Sequence, residues 1–176
     1  MHYQEVTEGS SVLARLEYGA DWGAELEAVA RAADVESAWF FGAGAVEDAE
    51  LAYYDQDEFA HVSVEYEEPL QVPIAMGTIT RATSDKGAPE DGPSGTTDTA
   101  EEGRTSAADV EEGSSAEESA QLSARTRVVL SRPSGQALAG VLERATVFGG
   151  EVYLKAFAEP VSREPDAATD MDLLSL

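Results

Sequence analysis

The sequence predicts an α+β domain: a mainly antiparallel sheet of about seven strands packed by one amphipathic helix. Three observations carry this. Apolar residues alternate with polar ones over most of the chain, which is the period of half-buried strands. One segment, from about Asp21 to Ala33, switches to helical spacing, with Trp22, Leu26, Val29, Ala30 and Ala33 on one face. Pro, Gly and Asp clusters punctuate the strands at short intervals, as in a meander.

The elements follow in order. Val12–Tyr18 reads as a strand stopped by Gly19, and Asp21 is placed to cap the helix. Ser37–Phe41 is a buried strand followed by Gly42-Ala-Gly44. Glu50–Tyr54 and Phe59–Tyr66 read as meander strands. Leu70–Arg81 is another, and Pro69 and Pro73 point to an edge or a bend. Arg125–Leu130 pairs with Ala137–Leu142 through the turn Arg132-Pro-Ser-Gly135. Ala145–Ala158 supplies the last strand, with a break expected at Gly149-Gly150. Met171–Leu176 is expected to dock as a hydrophobic clip.

Between the strands lies a segment of different character. Residues 84–123 are built from Gly, Ser, Thr, Ala, Asp and Glu, with Val110 and Leu122 as the only large apolar residues. Such a stretch buries too little apolar surface to offset its ordering entropy, so a disordered acidic insert is expected in a single domain of 176 residues. A helix at Ala107–Glu112 would be marginal. The insert reads either as an arm that blocks or recruits a partner, or as a tolerated surface insertion.

Charge narrows the function classes. Asp and Glu number 35 against 11 Lys and Arg, a formal net charge of −24. Such a surface either meets basic partners or suits a halophilic, salt-rich cytoplasm, where screening tames the self-repulsion. The last third, residues 124–176, is nearly neutral, with seven acids against six bases. Cysteine is absent, so disulfides and thiolate chemistry are excluded. No basic region followed by an apolar run opens the chain, and no apolar stretch approaches membrane length, so a cytoplasmic location away from membranes is expected.

The ordered blocks resemble one family. They are Arg15-Leu-Glu-Tyr-Gly19, Trp39-Phe-Phe-Gly-Ala-Gly-Ala-Val46, Ala49-Glu-Leu-Ala-Tyr-Tyr-Asp55, Gly77-Thr-Ile-Thr80, Gly140-Val-Leu142, Ala145-Thr-Val-Phe148 and Glu151-Val-Tyr-Leu154. In order and spacing, over about residues 12–83 and 124–160, the chain is similar to the plants-and-prokaryotes-conserved (PPC) domain family. The resemblance implies an antiparallel sheet with a packed helix and assembly as a homotrimer. Plant members of that family bind A/T-rich DNA through a separate AT-hook, and stand-alone prokaryotic members carry a DNA-binding label largely by analogy.

Many prokaryotic members of the family also hold a metal with a His-x-His pair on one strand and a third His on the next. By the same spacing, those ligand positions fall on Arg125, Arg127 and Val141. Guanidinium only donates and valine has no lone pair, so none can serve as an imidazole does. The two histidines, His2 and His61, do not rebuild the triad, and no bound zinc or other cofactor is expected. Arg125 and Arg127 should project from one face roughly 7 Å apart. With Arg132 and Arg144 nearby in sequence, they form a candidate site for an anion or a nucleic-acid backbone; the alternative is ion pairing with the chain's own acids.

Catalytic residues are not evident. Gly42-Ala-Gly44 lacks a dinucleotide fingerprint and suits a tight bend or close packing between subunits. Tyr53-Tyr54 reads as core or interface rather than as a base-stacking pair. Glu67-Glu68 and Glu101-Glu102 are too ordinary to nominate as acid–base pairs. The expectation is a non-catalytic protein with a DNA-associated regulatory role. As the chain lacks an AT-hook and is strongly acidic, a partner protein is expected to touch the DNA. The alternative is a small-molecule or oxoanion-binding module in the vacated metal pocket.

Overall fold

The computed structural model describes residues 2–57, 60–81, 121–169 and 171–176. The insert, apart from its last three residues, the short helix at Ala107–Glu112, and Phe59 lie outside the described residues.

The chain runs β1 (Glu8–Leu16), α1 (Trp22–Ala32), β2 (Ala38–Asp55), β3 (Ala60–Tyr66), β4 (Leu70–Arg81), β5 (Leu122–Ser131), β6 (Ala137–Phe157), β7 (Arg163–Pro165) and β8 (Asp172–Leu174). The expected α+β architecture is present, with one helix and an antiparallel six-stranded sheet in the order β1-β6-β5-β4-β2-β3. β6 also pairs with β2. That pairing closes a ring, β2-β4-β5-β6, with β1 and β3 as flanks.

The helix starts where its cap dictates. The Ala24 N–H donates to the Asp21 carboxylate at 2.9 Å, and Asp21 itself is extended. Trp22, Leu26 and Ala30 are then buried together. They pack into the ring with Phe40, Leu51, Leu70, Ile79, Leu130 and Leu154, all fully buried.

Four expectations are corrected. The strands expected at Ser37–Phe41 and Glu50–Tyr54 are one strand, β2, unbroken through Gly42-Ala-Gly44. Likewise β6 runs unbroken through Gly149-Gly150. One glycine of each strand meets the other, Gly44 opposite Gly150, while Gly42 lies opposite Val152 and Gly149 opposite Ala45. A side chain at Gly44 would strike the Gly149 carbonyl and come within 2.7 Å of the Gly150 Cα, so the glycines serve a close approach of two strands of one chain. Of the two alternatives for β4, the edge is corrected, since the strand is central, and the bend is present: Pro73 falls at a bulge, where pairing to β2 and to β5 both shift register, so its missing N–H breaks no ladder. Finally, Leu122 and Ser123 belong to β5 and not to the insert, and Leu122 is buried.

The tail also docks differently from the expected hydrophobic clip. Leu173 and Leu176 are exposed. The segment pairs instead with the preceding tail, β8 on β7, with the Ser175 N–H donating to the Ser162 carbonyl. That tail is held by the Val161 N–H donating to Ser37 Oγ at 2.7 Å and Arg163 Nη2 donating to Thr78 Oγ1 at 2.7 Å.

Candidate functional site

β5 alternates as a half-buried strand must. Thr126, Val128 and Leu130 are buried in the ring, and Arg125, Arg127 and Val129 take the opposite face. Register then fixes the neighbours. Arg127 lies opposite Met76 on β4 and opposite Val141 on β6, and Arg125 lies opposite Thr78. The three positions read from spacing therefore do converge. Arg125, Arg127 and Val141 line one cavity of about 520 Å³, walled largely by Ile74, Met76, Tyr54 and Met171.

Arg163, which sequence reasoning missed, joins them. Its Nη1 donates to the Asp172 carbonyl at 2.8 Å, and Arg125 Nη1 donates to the same oxygen at 3.1 Å. Arg125 also meets the Asp172 carboxylate at 3.5 Å. Arg163 Nε is buried and has no partner among the described residues. Burial, together with the Arg125 and Arg127 guanidiniums, pushes the Arg163 guanidinium below the usual arginine range, while Asp172 pulls it back. It remains a cation. The local signal that could have flagged Arg163 is weak: it is one of only six bases in the near-neutral last third.

Each of the three arginines lines two cavities. Arg125 and Arg127 share the first, Arg127 and Arg163 a second with Trp39 and His2, and Arg125 and Arg163 a third with Asp172. Arg127 is exposed, and its side chain makes no hydrogen bond or ion pair among the described residues.

Arg132 and Arg144 are not part of this cluster. Arg132 Nε donates to Glu68 at 2.6 Å, its Nη1 donates to Gln136 at 2.7 Å, and the guanidinium lies over the Tyr66 ring. Arg144 pairs with Asp48 at 3.2 Å and reaches Glu50, its cross-strand neighbour, at 3.9 Å.

The tyrosines divide. Tyr54 donates its hydroxyl to the Thr169 carbonyl and so ties the tail to β2. Tyr53 and Tyr66 bring their hydroxyls to 3.4 Å. That contact, with partial burial, pushes the Tyr53 phenol up to about 12. A raised phenol favours the neutral form in the folded state, so its stabilising contribution is complete below pH ~10 and is lost as pH rises from there through about 12. Ultraviolet titration of phenolate should show a late phase that Y53F removes; an unchanged profile in Y53F would refute the assignment.

The donor set does not fit a transition metal. Two guanidiniums and one isopropyl group offer no lone pair. Among the described residues no group of three or more His, Cys, Asp or Glu is placed to hold an ion.

Comparison with known proteins agrees with this fold. The Plants and Prokaryotes Conserved (PCC) domain model matches residues 3–116. No curated protein sequence matches the chain significantly. Among solved structures, a metal-containing protein from Archaeoglobus fulgidus superposes with a TM-score of 0.73 at 22% identity, over 100% of both chains. A plant- and prokaryote-conserved protein from Pyrococcus horikoshii gives 0.71 at 14% identity, over 100% of this chain and 99% of that one. A candidate DNA-binding protein from Bacteroides thetaiotaomicron gives 0.67 at 14%, over 97% and 96%. With the family model spanning most of its length and the same fold in these neighbours, the chain belongs to the plants-and-prokaryotes-conserved domain family.

Proposed function

We propose that this chain is a non-catalytic PPC-domain protein that assembles as a homotrimer and serves a DNA-associated regulatory role through a partner. One observation carries the assembly. Leu13, Tyr153, Phe41 and Met76 stand in register across β1, β6, β2 and β4, on the face of the sheet away from the helix. Leu13 is 80% exposed, Phe41 46% and Tyr153 41%. A contiguous apolar row of this kind marks an interaction surface.

The DNA-associated role draws on the description of structural neighbours as candidate DNA-binding proteins. Direct contact by this chain is disfavoured by its charge. Of the four arginines expected to form the basic site, Arg125, Arg132 and Arg144 have carboxylate partners, and only Arg127 lacks one among the described residues. Phosphate binding needs several free cations, and salt weakens each contact. Sedimentation velocity in molar KCl, with a fluorescent A/T-rich duplex present, tests both halves. The expected mass is about three times the 18.6 kDa chain, with the duplex sedimenting alone. A monomer, or a duplex carried along by this chain alone, would overturn the proposal.

A second reading has a specific observation behind it. Arg127 faces an apolar cavity without a carboxylate partner among the described residues, which favours a small-molecule anion module at the vacated metal position.

A further inference from the structure

We propose that the Arg125–Arg127 cavity binds a small organic carboxylate with an apolar body, and that the Asp172 carboxylate is its internal stand-in. The inference rests on the anion-module reading and adds to it the ligand's class and a competitor built into the chain.

The first argument is the imbalance of charge. Three guanidiniums line adjoining cavities here, and among the described residues the one carboxylate in contact with any of them is that of Asp172, which reaches Arg125, while Arg125 and Arg163 also share the Asp172 backbone carbonyl. Asp172 and the other acids nearby line only the flanking cavities, Asp172 and Glu143 beside Arg125, and Glu164 and Asp166 beside Arg163, so that the Arg125–Arg127 cavity itself is lined by no carboxylate among the described residues. The Asp166 carboxylate is occupied by Thr169, which donates both its N–H and its hydroxyl. A cationic surplus in a partly dry site is what an anion relieves.

Second, Arg125 already meets a carboxylate, from the flanking cavity. The Asp172 carboxylate approaches Arg125 at 3.5 Å through one oxygen, and that side chain is 45% exposed. A single long contact on a half-exposed carboxylate is weak and displaceable. An incoming carboxylate placed between Arg125 and Arg127 has two guanidinium forks to bridge, so it can outcompete the resident group.

Third, the walls choose the ligand's body. Ile74, Met76, Val129, Val141 and Met171 line the cavity beside the two arginines, with Tyr54 at its side. A volume of about 520 Å³ suits a compact ring or short alkyl group. A polyanion such as a nucleotide or a nucleic-acid backbone would find two or three cations and an apolar wall. A monocarboxylate with a hydrophobic body fits both features.

Calorimetric titration of the intact protein with 3-phenylpropionate, propionate and inorganic phosphate tests this, at about 0.2 M and about 2 M KCl so that screening is controlled. The expected result is one phenylpropionate per chain, with propionate weaker by about tenfold or more for want of its apolar body. R127Q should weaken phenylpropionate by about tenfold or more. D172N should bind it at least as tightly as the unaltered chain, because the internal competitor is gone. Both variants alter partly exposed side chains and should keep the parent melting temperature. Unchanged affinity in R127Q, or loss of affinity in a folded D172N, would overturn the proposal. Phosphate binding that depends on Arg127, with phenylpropionate no better than propionate, would sink this inference and leave the anion module standing. Binding of none of the three at either salt concentration would sink both.

Discussion

If the parent forms the proposed trimer, a chain carrying F41E and Y153E is expected to sediment as a monomer under the same conditions. The two positions are directly paired across β2 and β6, at the middle of the apolar row from Leu13 to Met76. Both side chains face away from the helix and are nearly half exposed, so their replacement leaves the buried ring untouched. In the assembly each substitution removes a large apolar contact and leaves a carboxylate without a partner, an effect of at least about 2 kcal/mol per site. Together they should weaken association by about a thousandfold. The melting temperature of the dissociated chain then reports whether the fold survived. A double variant that stays trimeric would show that assembly uses another surface.

Gly77→Ala is expected to be the most damaging single methyl group in the domain, costing at least about 3 kcal/mol. Gly77 sits in β4 between Phe40 on β2 and Thr126 on β5. A β carbon there would be driven into the Arg125 carbonyl oxygen and would come within 2.9 Å of both the Arg125 carbonyl carbon and Phe40 Cζ. Neither neighbour can yield. The carbonyl is backbone, and Phe40 is fully buried against the core. Relief therefore means parting β4 from β5, which also displaces Arg125 from the candidate site. Denaturant unfolding at constant molar KCl checks this. A loss under about 1 kcal/mol would mean that the two strands are not packed this closely.

The family resemblance singled out Arg125, Arg127 and Val141, and strand alternation with hairpin register, both local properties, explains why the three meet. Arg125 and Arg127 share a face by period alone, and Val141 falls opposite Arg127 once the turn at Arg132–Gly135 sets the register. What local pattern could not show is which distant strands meet. Glycines 42, 44, 149 and 150 look like breaks one strand at a time, and only their mutual approach explains why both strands continue. Arg132 and Arg144 are neighbours of the site in sequence but not in space. The hairpin turn carries Arg132 to Glu68, and the length of β6 carries Arg144 to Asp48 and Glu50. Arg163 escaped notice for the opposite reason. Its place depends on a tail held by Ser37, Thr78 and Tyr54, contacts that span from 85 to 124 positions and that no periodicity announces.

The PPC fold is present here, and we propose that the position where the family resemblance implies metal ligands carries guanidinium and isopropyl groups instead. Metal analysis of the purified chain by inductively coupled plasma mass spectrometry tests that exchange most directly. Two fixed cations and an aliphatic side chain predict zinc at trace level, far below one atom per chain, and unaffected by substitution of Arg125 or Arg127. One tightly held zinc per chain, surviving dialysis against a chelator, would contradict it.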